Sequence, residues 1–229
     1  VRPVDMAFPG TLPVVNKEAV RMSLMTSMVL NCSQPEYMYF ERKNYYYPDL
    51  PKSYQISQYD KPLCNHGYVE IDDENGNKKK IGILRIHIEE DAGKLNHDEF
   101  GGDSLVDLNR AGVPLIEIVS MPDMSSAEEA DRYLKKLKSI LEYIEVSDCK
   151  MQEGSFRADV NVSVKKKTDT KLGTRSEMKN MSSFRSITRG IEYEIERQID
   201  LLEAGEKVIQ ETLKWDEVSG RTFSMRDKE

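Results

Sequence analysis

Seven apolar residues at helical spacing, Ala130, Tyr133, Leu134, Leu137, Ile140, Leu141 and Ile144, follow a capping box formed by Ser126 and Glu129. On either side of this segment the chain alternates with a period of two or runs apolar without a break. The runs before it are Tyr68 to Ile71, Lys80 to Glu90 and Val113 to Ser120; those after it are Phe156 to Val164, Thr174 to Lys179 and Val208 to Trp215. A pattern repeating every 3.6 residues buries one stripe only as a helix, and a pattern repeating every two buries one face only as a strand. Two more helical segments complete the order. Asn16 caps one that runs to about Leu30, with Val20, Leu24 and Met28 on the stripe predicted to face the core. The other starts at Ser182 or Ser183, turns Phe184, Ile187, Ile191, Ile195, Ile199 and Leu202 inward, and stops at Ala204-Gly205, where glycine suits a left-handed cap. Strand clusters with helices inserted, joined by turns such as Glu74-Asn75-Gly76-Asn77, predict an α+β fold with a mostly antiparallel sheet.

No internal repeat or Gly/Ser-rich linker divides the 229 residues, which are expected to form one large domain or one with a small appendage. The chain opens on Val1 rather than Met and stops at Lys228-Glu229, so both ends are expected to continue. No apolar run approaches the roughly 18 residues of a membrane span, and the first residues lack a signal peptide's pattern, which predicts a cytoplasmic setting. Cys32, Cys64 and Cys149 are widely spaced and odd in number, so they read as plain thiols. The net charge of −7 has the wrong sign for bulk electrostatic binding of nucleic acid; any RNA contact must be local, and no DNA is expected. The triplets Lys78 to Lys80 and Lys165 to Lys167 sit beside turn residues and read as solvated hairpin loops.

Carboxylates in unusual positions mark the candidate chemistry. Glu117 is the single charge in an otherwise apolar strand, where an ionised group costs several kcal/mol unless a cation or hydrogen bonds compensate it. That favours a metal or catalytic role over a plain ion pair. In Leu84 to Asp91, alternation puts Glu90 at the end of the apolar face, with Arg85, His87 and Glu89 opposite; a solvated turn and a metal site fit Glu90 equally. Arg157, Asp159, Asn161 and Ser163 share one face, by default the wet side of a sheet. Glu177 lies between Arg175 and Lys179, as suits either a surface ladder or a phosphate-and-metal pocket. Four strands thus each offer an oxygen ligand of the kind hard cations prefer. His66, His87 and His97 lack metal-ligand spacing and read as ordinary. Phosphate-loop, dinucleotide, nucleophile-elbow and zinc-protease motifs are absent.

Longer stretches carry a family resemblance: FPGTLPVVNKEAV (Phe8 to Val20), ERKNYYYPDLPKSYQISQYDKP (Glu41 to Pro62), IHIEEDAGK (Ile86 to Lys94), SLVDLNRAGVPLIEIVSMPDM (Ser104 to Met124), VSDCKMQEGSFRADVNVS (Val146 to Ser163) and GTRSEMKNMSSF (Gly173 to Phe184). With IEYEIERQI, QETLKWDE and SMRDKE further on, they are spread over nearly the whole chain, and together they resemble the GatB family of tRNA-dependent amidotransferase B subunits. The resemblance implies a glutamine-synthetase-like cradle. It also implies ATP- and Mg²⁺-dependent phosphorylation of the side-chain carboxylate of Glu-tRNA(Gln) or Asp-tRNA(Asn), followed by attack of ammonia. In such a complex the A subunit, an amidase, would release that ammonia from glutamine, and the small C subunit would clasp the pair.

Matched position by position, the resemblance assigns metal-site and catalytic acids to Glu90, Glu117, Asp159 and Glu177. It assigns ammonia-channel residues to Lys43, Lys52 and Asp91, and phosphate contacts to Arg157, Arg175 and Arg226. There are departures. The family's GLEVH-like strand would lie upstream of Val1, and helical and tail domains beyond Glu229, so the chain alone is expected to be impaired. Met121 stands where Glu is common, and no CPxC knuckle precedes the FPG motif, so no structural zinc is expected. The setting is expected to be the bacterial cytoplasm, with an organellar origin left open. The alternative reading is a non-catalytic scaffold that docks an amidase and tRNA, its carboxylates being sheet ladders.

Overall fold

In a computed structural model, which describes residues 1–97 and 103–227, Asn16 caps the first helix as predicted. Its Oδ1 accepts from the backbone N–H groups of Glu18 (2.9 Å) and Ala19 (3.3 Å), and α1 spans Lys17–Val29. The stripe that α1 buries differs from the expected one. Ser23, Thr26 and Ser27 are fully buried, whereas Leu24 and Met28 are exposed, Met28 to 61%. The hydroxyls resolve the apparent conflict: Ser23 donates to the carbonyl of Ala19 (2.7 Å), Thr26 to Met22 (3.0 Å) and Ser27 to Leu24 (2.8 Å). A hydroxyl bonded to its own helix needs no other partner to be buried, and small side chains let the helix approach its neighbour closely. Just past α1 the chain runs close against Gly67, where a Cβ would lie 2.3 Å from Cys32 Sγ and 2.5 Å from the carbonyl oxygen of Leu30.

The chain divides into two compact units, Val1–Val69 with Lys80–Asp123, and Glu70–Lys79 with Met124–Glu229. In the first, α1 is followed by β1 (Glu41–Asn44), β2 (Tyr54–Ser57), β3 (Cys64–Asp72), β4 (Lys78–Glu90), β5 (Lys94–His97), β6 (Ser104–Asp107) and β7 (Pro114–Ser120). Strands β3, β4 and β7 form a three-stranded sheet in that order; β1 with β2 and β5 with β6 form antiparallel ribbons. Its buried apolar residues include Leu30, Leu63, Cys64, Val69, Ile81, Ile83, Ile86 and Ile88. The antiparallel register of β4 and β7 sets His87 opposite Glu117.

The second unit takes in the tip of the β3–β4 hairpin, α2 (Ala127–Tyr143), a 3-10 turn (Met151–Glu153), β8 (Val160–Val162), β9 (Ser176–Lys179), α3 (Phe184–Glu203), β10 (Glu211–Asp216) and β11 (Arg221–Asp227). Its sheet runs β11-β10-β9-β8, with β9 and β10 parallel and the other pairs antiparallel. The mostly antiparallel α+β reading therefore holds. Ser126 caps α2 through the N–H of Glu129 (3.2 Å). The Glu129 carboxylate accepts from the N–H of Ser125 (2.6 Å) and from Lys79 (2.7 Å). Lys78 to Lys80 open β4 rather than lying in the hairpin loop; Lys78 and Lys80 are exposed as expected, Lys78 pairing with Asp72 (2.6 Å) and Lys80 lying 4.0 Å from the centre of the Tyr68 ring.

Helix α3 also departs from the apolar stripe. Ile187 and Ile191 are buried, but the stripe continues as Glu194 and Gln198, both without solvent exposure, while Ile199 and Leu202 are exposed. The amide of Gln198 donates to the Val162 carbonyl (3.1 Å), Ser176 Oγ (3.2 Å) and Glu194 Oε1 (2.8 Å), and its oxygen accepts from the N–H of Val164 (3.1 Å). Arg197 closes the network on Glu194 (2.8 Å), so this buried charge has the counter-ion it needs. The predicted Phe156 to Val164 strand pairs only over Val160–Val162. Gly205 takes the left-handed conformation expected at the end of α3 (φ 79°).

Candidate metal centre

Strand alternation puts Arg85, His87 and Glu89 on one face of β4, and the β4–β7 register brings Glu117 beside them. His87 Nε2 lies 3.3 Å from Glu89 Oε1 and 3.7 Å from Glu117 Oε2. One ligand atom from each of the three residues falls within 4.8 Å of the other two. An imidazole nitrogen and two carboxylate oxygens converging in this way suit a divalent cation; the carboxylates fit Mg²⁺ and Mn²⁺, and the nitrogen extends the fit to softer first-row ions. His87 and Glu89 are buried, and the Glu117 side chain is 46% exposed.

Strand β2 and the residues after it hold this end of β4. Ser57 Oγ donates to Glu89 Oε1 (2.7 Å), the Ile88 N–H donates to Gln58 Oε1 (2.9 Å), and Gln55 Nε2 donates to the Glu90 carbonyl (2.7 Å). Burial works to raise the Glu89 pKa, but the hydrogen bonds from His87 and Ser57 and the charge of Lys43, 3.9 Å away, outweigh it and hold the carboxyl below the ordinary range. Glu89 is therefore an anion at neutral pH. Among the described polar atoms, His87 Nδ1 and Arg85 Nε are buried without a hydrogen-bond partner.

Of the acids assigned by resemblance, Glu117 belongs to this cluster and Glu90 does not. Glu90 is an ion-pair partner of the buried Lys52, and it also accepts from the N–H of Ile56 (2.9 Å). Asp159 and Glu177 lie in the second unit. Asp159 pairs with Lys179 (2.8 Å); Glu177 lies 3.7 Å from the same ammonium and accepts from Thr212 Oγ1 (3.3 Å). Arg157 and Arg175 are exposed, and the side chain of Arg226 is outside the described residues. Lys43 reaches Glu89, Lys52 reaches Glu90, and Asp91 lies 3.5 Å from Arg110 Nε. Sequence reasoning passed over His87 and Glu89. The alternation that groups them was readable, but the cross-strand register that adds Glu117 was not.

The cluster opens on a cavity of about 400 Å³ that Arg42, Lys43, Tyr59 and Arg85 also line. The Arg85 guanidinium lies over the Tyr59 ring, 5.4 Å from its centre.

Comparison with known proteins places this chain in a family. A family model described as the GatB/GatE catalytic domain matches residues 1–229. The B subunit of the aspartyl/glutamyl-tRNA(Asn/Gln) amidotransferase of Thermoanaerobacter sp. (strain X514) is 61% identical over 229 residues, covering 100% of this chain and 48% of the relative. The protein of the same name from Caldicellulosiruptor saccharolyticus is 60% identical over 227 residues, 99% of this chain and 47% of the relative. That of Clostridium tetani is 58% identical over 229 residues, 100% of this chain and 48% of the relative. The chain spans about half the length of the curated relatives it matches. No described helix is long and apolar enough to cross a membrane. With the whole of its length matched by that model and more than half of its residues shared with these relatives, the chain belongs to the GatB/GatE catalytic-domain family.

Proposed function

We propose that this chain is the carboxylate-activating part of the B subunit of a tRNA-dependent amidotransferase, acting with ATP and Mg²⁺ on the side chain of Glu-tRNA(Gln) or Asp-tRNA(Asn). The observation that carries the reading is the His87–Glu89–Glu117 cluster lining a cavity in a chain of this family. A divalent ion held there would supply charge neutralisation for a transferring phosphoryl group, the dominant requirement of such transfers. The protein's own part is to keep Glu89 ionised through Ser57 and Lys43, and to fix its carboxylate by burial. Amide formation then needs ammonia at the activated carboxyl. An amidase, the A subunit, working with the small C subunit, is the proposed source. Lys43, Lys52 and Asp91 are proposed to line its path together with Glu90, since alternating acids and bases relay a neutral, hydrogen-bonding molecule.

Asp159 and Glu177 are proposed as further metal-site acids, and Arg157, Arg175 and Arg226 as phosphate contacts, on the resemblance alone. One observation favours the scaffold alternative for that sheet: both acids meet Lys179, as in a surface ladder. A test in the full-length protein, assembled with its partners, separates the readings. Replacing Glu89 or Glu117 by Ala is expected to abolish ATP-dependent amide formation while glutamine hydrolysis and assembly persist. Normal amide formation in both variants would reject the assignment.

A further inference from the structure

The cavity beside the metal cluster carries charge that the cluster alone does not explain. Three cations, Arg42, Lys43 and Arg85, line it together with three carboxylates, Glu41, Glu89 and Glu117. Without a metal the two sets balance; a divalent ion would leave the cavity about two positive charges in excess. The cations are also unevenly committed. Lys43 has Glu89 at 3.9 Å, and Glu41 is occupied by the N–H groups of Tyr59 (2.6 Å) and Asp60 (3.1 Å). Among the described residues neither Arg42 nor Arg85 meets a carboxylate within ion-pair range; each lies over an aromatic ring instead, Arg42 over Tyr54 at 5.0 Å and Arg85 over Tyr59 at 5.4 Å. A cation–π contact leaves the terminal N–H groups of a guanidinium able to donate, and Arg85 is half-buried with its Nε shielded from water and unpartnered. A partly desolvated cation with no counter-ion is costly, and an incoming anion would relieve that cost.

We propose that Arg85 and Arg42 clamp a phosphoryl-type oxyanion in this cavity, opposite the divalent ion held by His87, Glu89 and Glu117; the inference rests on the metal reading given under Proposed function. Arg85 and His87 stand two residues apart on one face of β4, roughly 6.6 Å along the strand, so one tetrahedral oxyanion can meet a metal with one oxygen and a guanidinium with another. Two charges on the ion match the excess of two in the loaded cavity. The assignment puts the recognition of a phosphate group on this unit, with arginines seated over aromatic rings rather than a glycine-rich loop as its donors.

The test uses the full-length chain, Mn²⁺ as the metal and inorganic phosphate as the probe, followed by the paramagnetic broadening of the phosphate ³¹P signal. Wild-type protein is expected to bind Mn²⁺ and to broaden the phosphate resonance in a saturable manner. Arg85→Ala should keep Mn²⁺ affinity within threefold and weaken phosphate at least tenfold; Arg42→Ala, at an exposed position where folding is not at stake, should weaken phosphate several-fold. Arg85→Lys should recover only part of the loss, because a point charge cannot replace the fork. Phosphate bound equally by wild type, Arg85→Ala and Arg42→Ala, or not broadened in a wild type that binds Mn²⁺, overturns the clamp and leaves the metal centre standing. Failure of the wild type to bind Mn²⁺ overturns the metal reading and the clamp with it.

Discussion

Ser57 Oγ donates to Glu89 Oε1 at 2.7 Å, tying strand β2 to the carboxylate that faces His87. A hydrogen bond to a buried charged group contributes about 1.5–3 kcal/mol, and partners of metal-ligating carboxylates change metal affinity by roughly 10- to 100-fold. Ser57→Ala is therefore expected to lower stability at pH 7 by about 1–3 kcal/mol and to weaken Mn²⁺ binding by about tenfold or more. Denaturant unfolding and Mn²⁺ titration of the same sample check both. Weakened metal binding with unchanged stability would mean that Ser57 acts on the ion rather than through Glu89.

The depressed pKa of Glu89 fixes the sign of a pH effect. A carboxyl whose folded-state value lies below its unfolded one adds stability above the unfolded value, near 4.5, and loses it as pH falls through the lower folded value. Between pH 7 and 5 the stability gap between wild type and Glu89→Gln should therefore stay constant. Below about 4.5 it should shrink. Urea unfolding across that range measures it; a gap that widens on acidification would show that Glu89 is held protonated.

Lys52 and Glu90 form an ion pair with side chains only 7% and 12% exposed. Breaking such a pair from one side strands a buried charge at a cost of about 3–5 kcal/mol, whereas removing both charges together is far milder. Lys52→Met should destabilise strongly, and Lys52→Met with Glu90→Gln should recover most of the loss. Thermal melts of the two variants decide, and additive losses would show that the charges are solvated.

Gly67 lies against backbone as well as side chain, so Gly67→Ala cannot be accommodated by one rotamer change. The nearest atoms to the new Cβ would be Cys32 Sγ at 2.3 Å and the Leu30 carbonyl oxygen at 2.5 Å. Overpacking of this kind costs about 1–3 kcal/mol, and a drop of several degrees in Tm is expected. An unchanged Tm would show that the end of α1 moves freely against β3.

These predictions rest on features that differ in how far the sequence reveals them. Caps were legible because they are local: Asn16, Ser126 and Ser183 each bond to N–H groups two or three residues on. The buried stripe of α1 was not, because hydropathy favours Leu24 and Met28 over hydroxyls that satisfy themselves within the helix. The same holds for α3, where Gln198 and Glu194 are buried by virtue of partners on β8, β9 and Arg197 that no periodicity encodes. At the candidate site, Glu117 stood out as a lone charge in an apolar strand. The choice between Glu89 and Glu90 depended on which neighbour Lys52 occupies, a contact between residues 38 positions apart.

If His87, Glu89 and Glu117 together hold a divalent cation, Mn²⁺ binding to the full-length chain, followed by electron paramagnetic resonance, depends on all three. A saturable site is expected, which His87→Ala, Glu89→Gln and Glu117→Gln each weaken at least tenfold, while Glu41→Gln, in the same cavity but committed to backbone N–H groups, leaves it within twofold. Equal Mn²⁺ affinity in wild type and in all three cluster variants would contradict it.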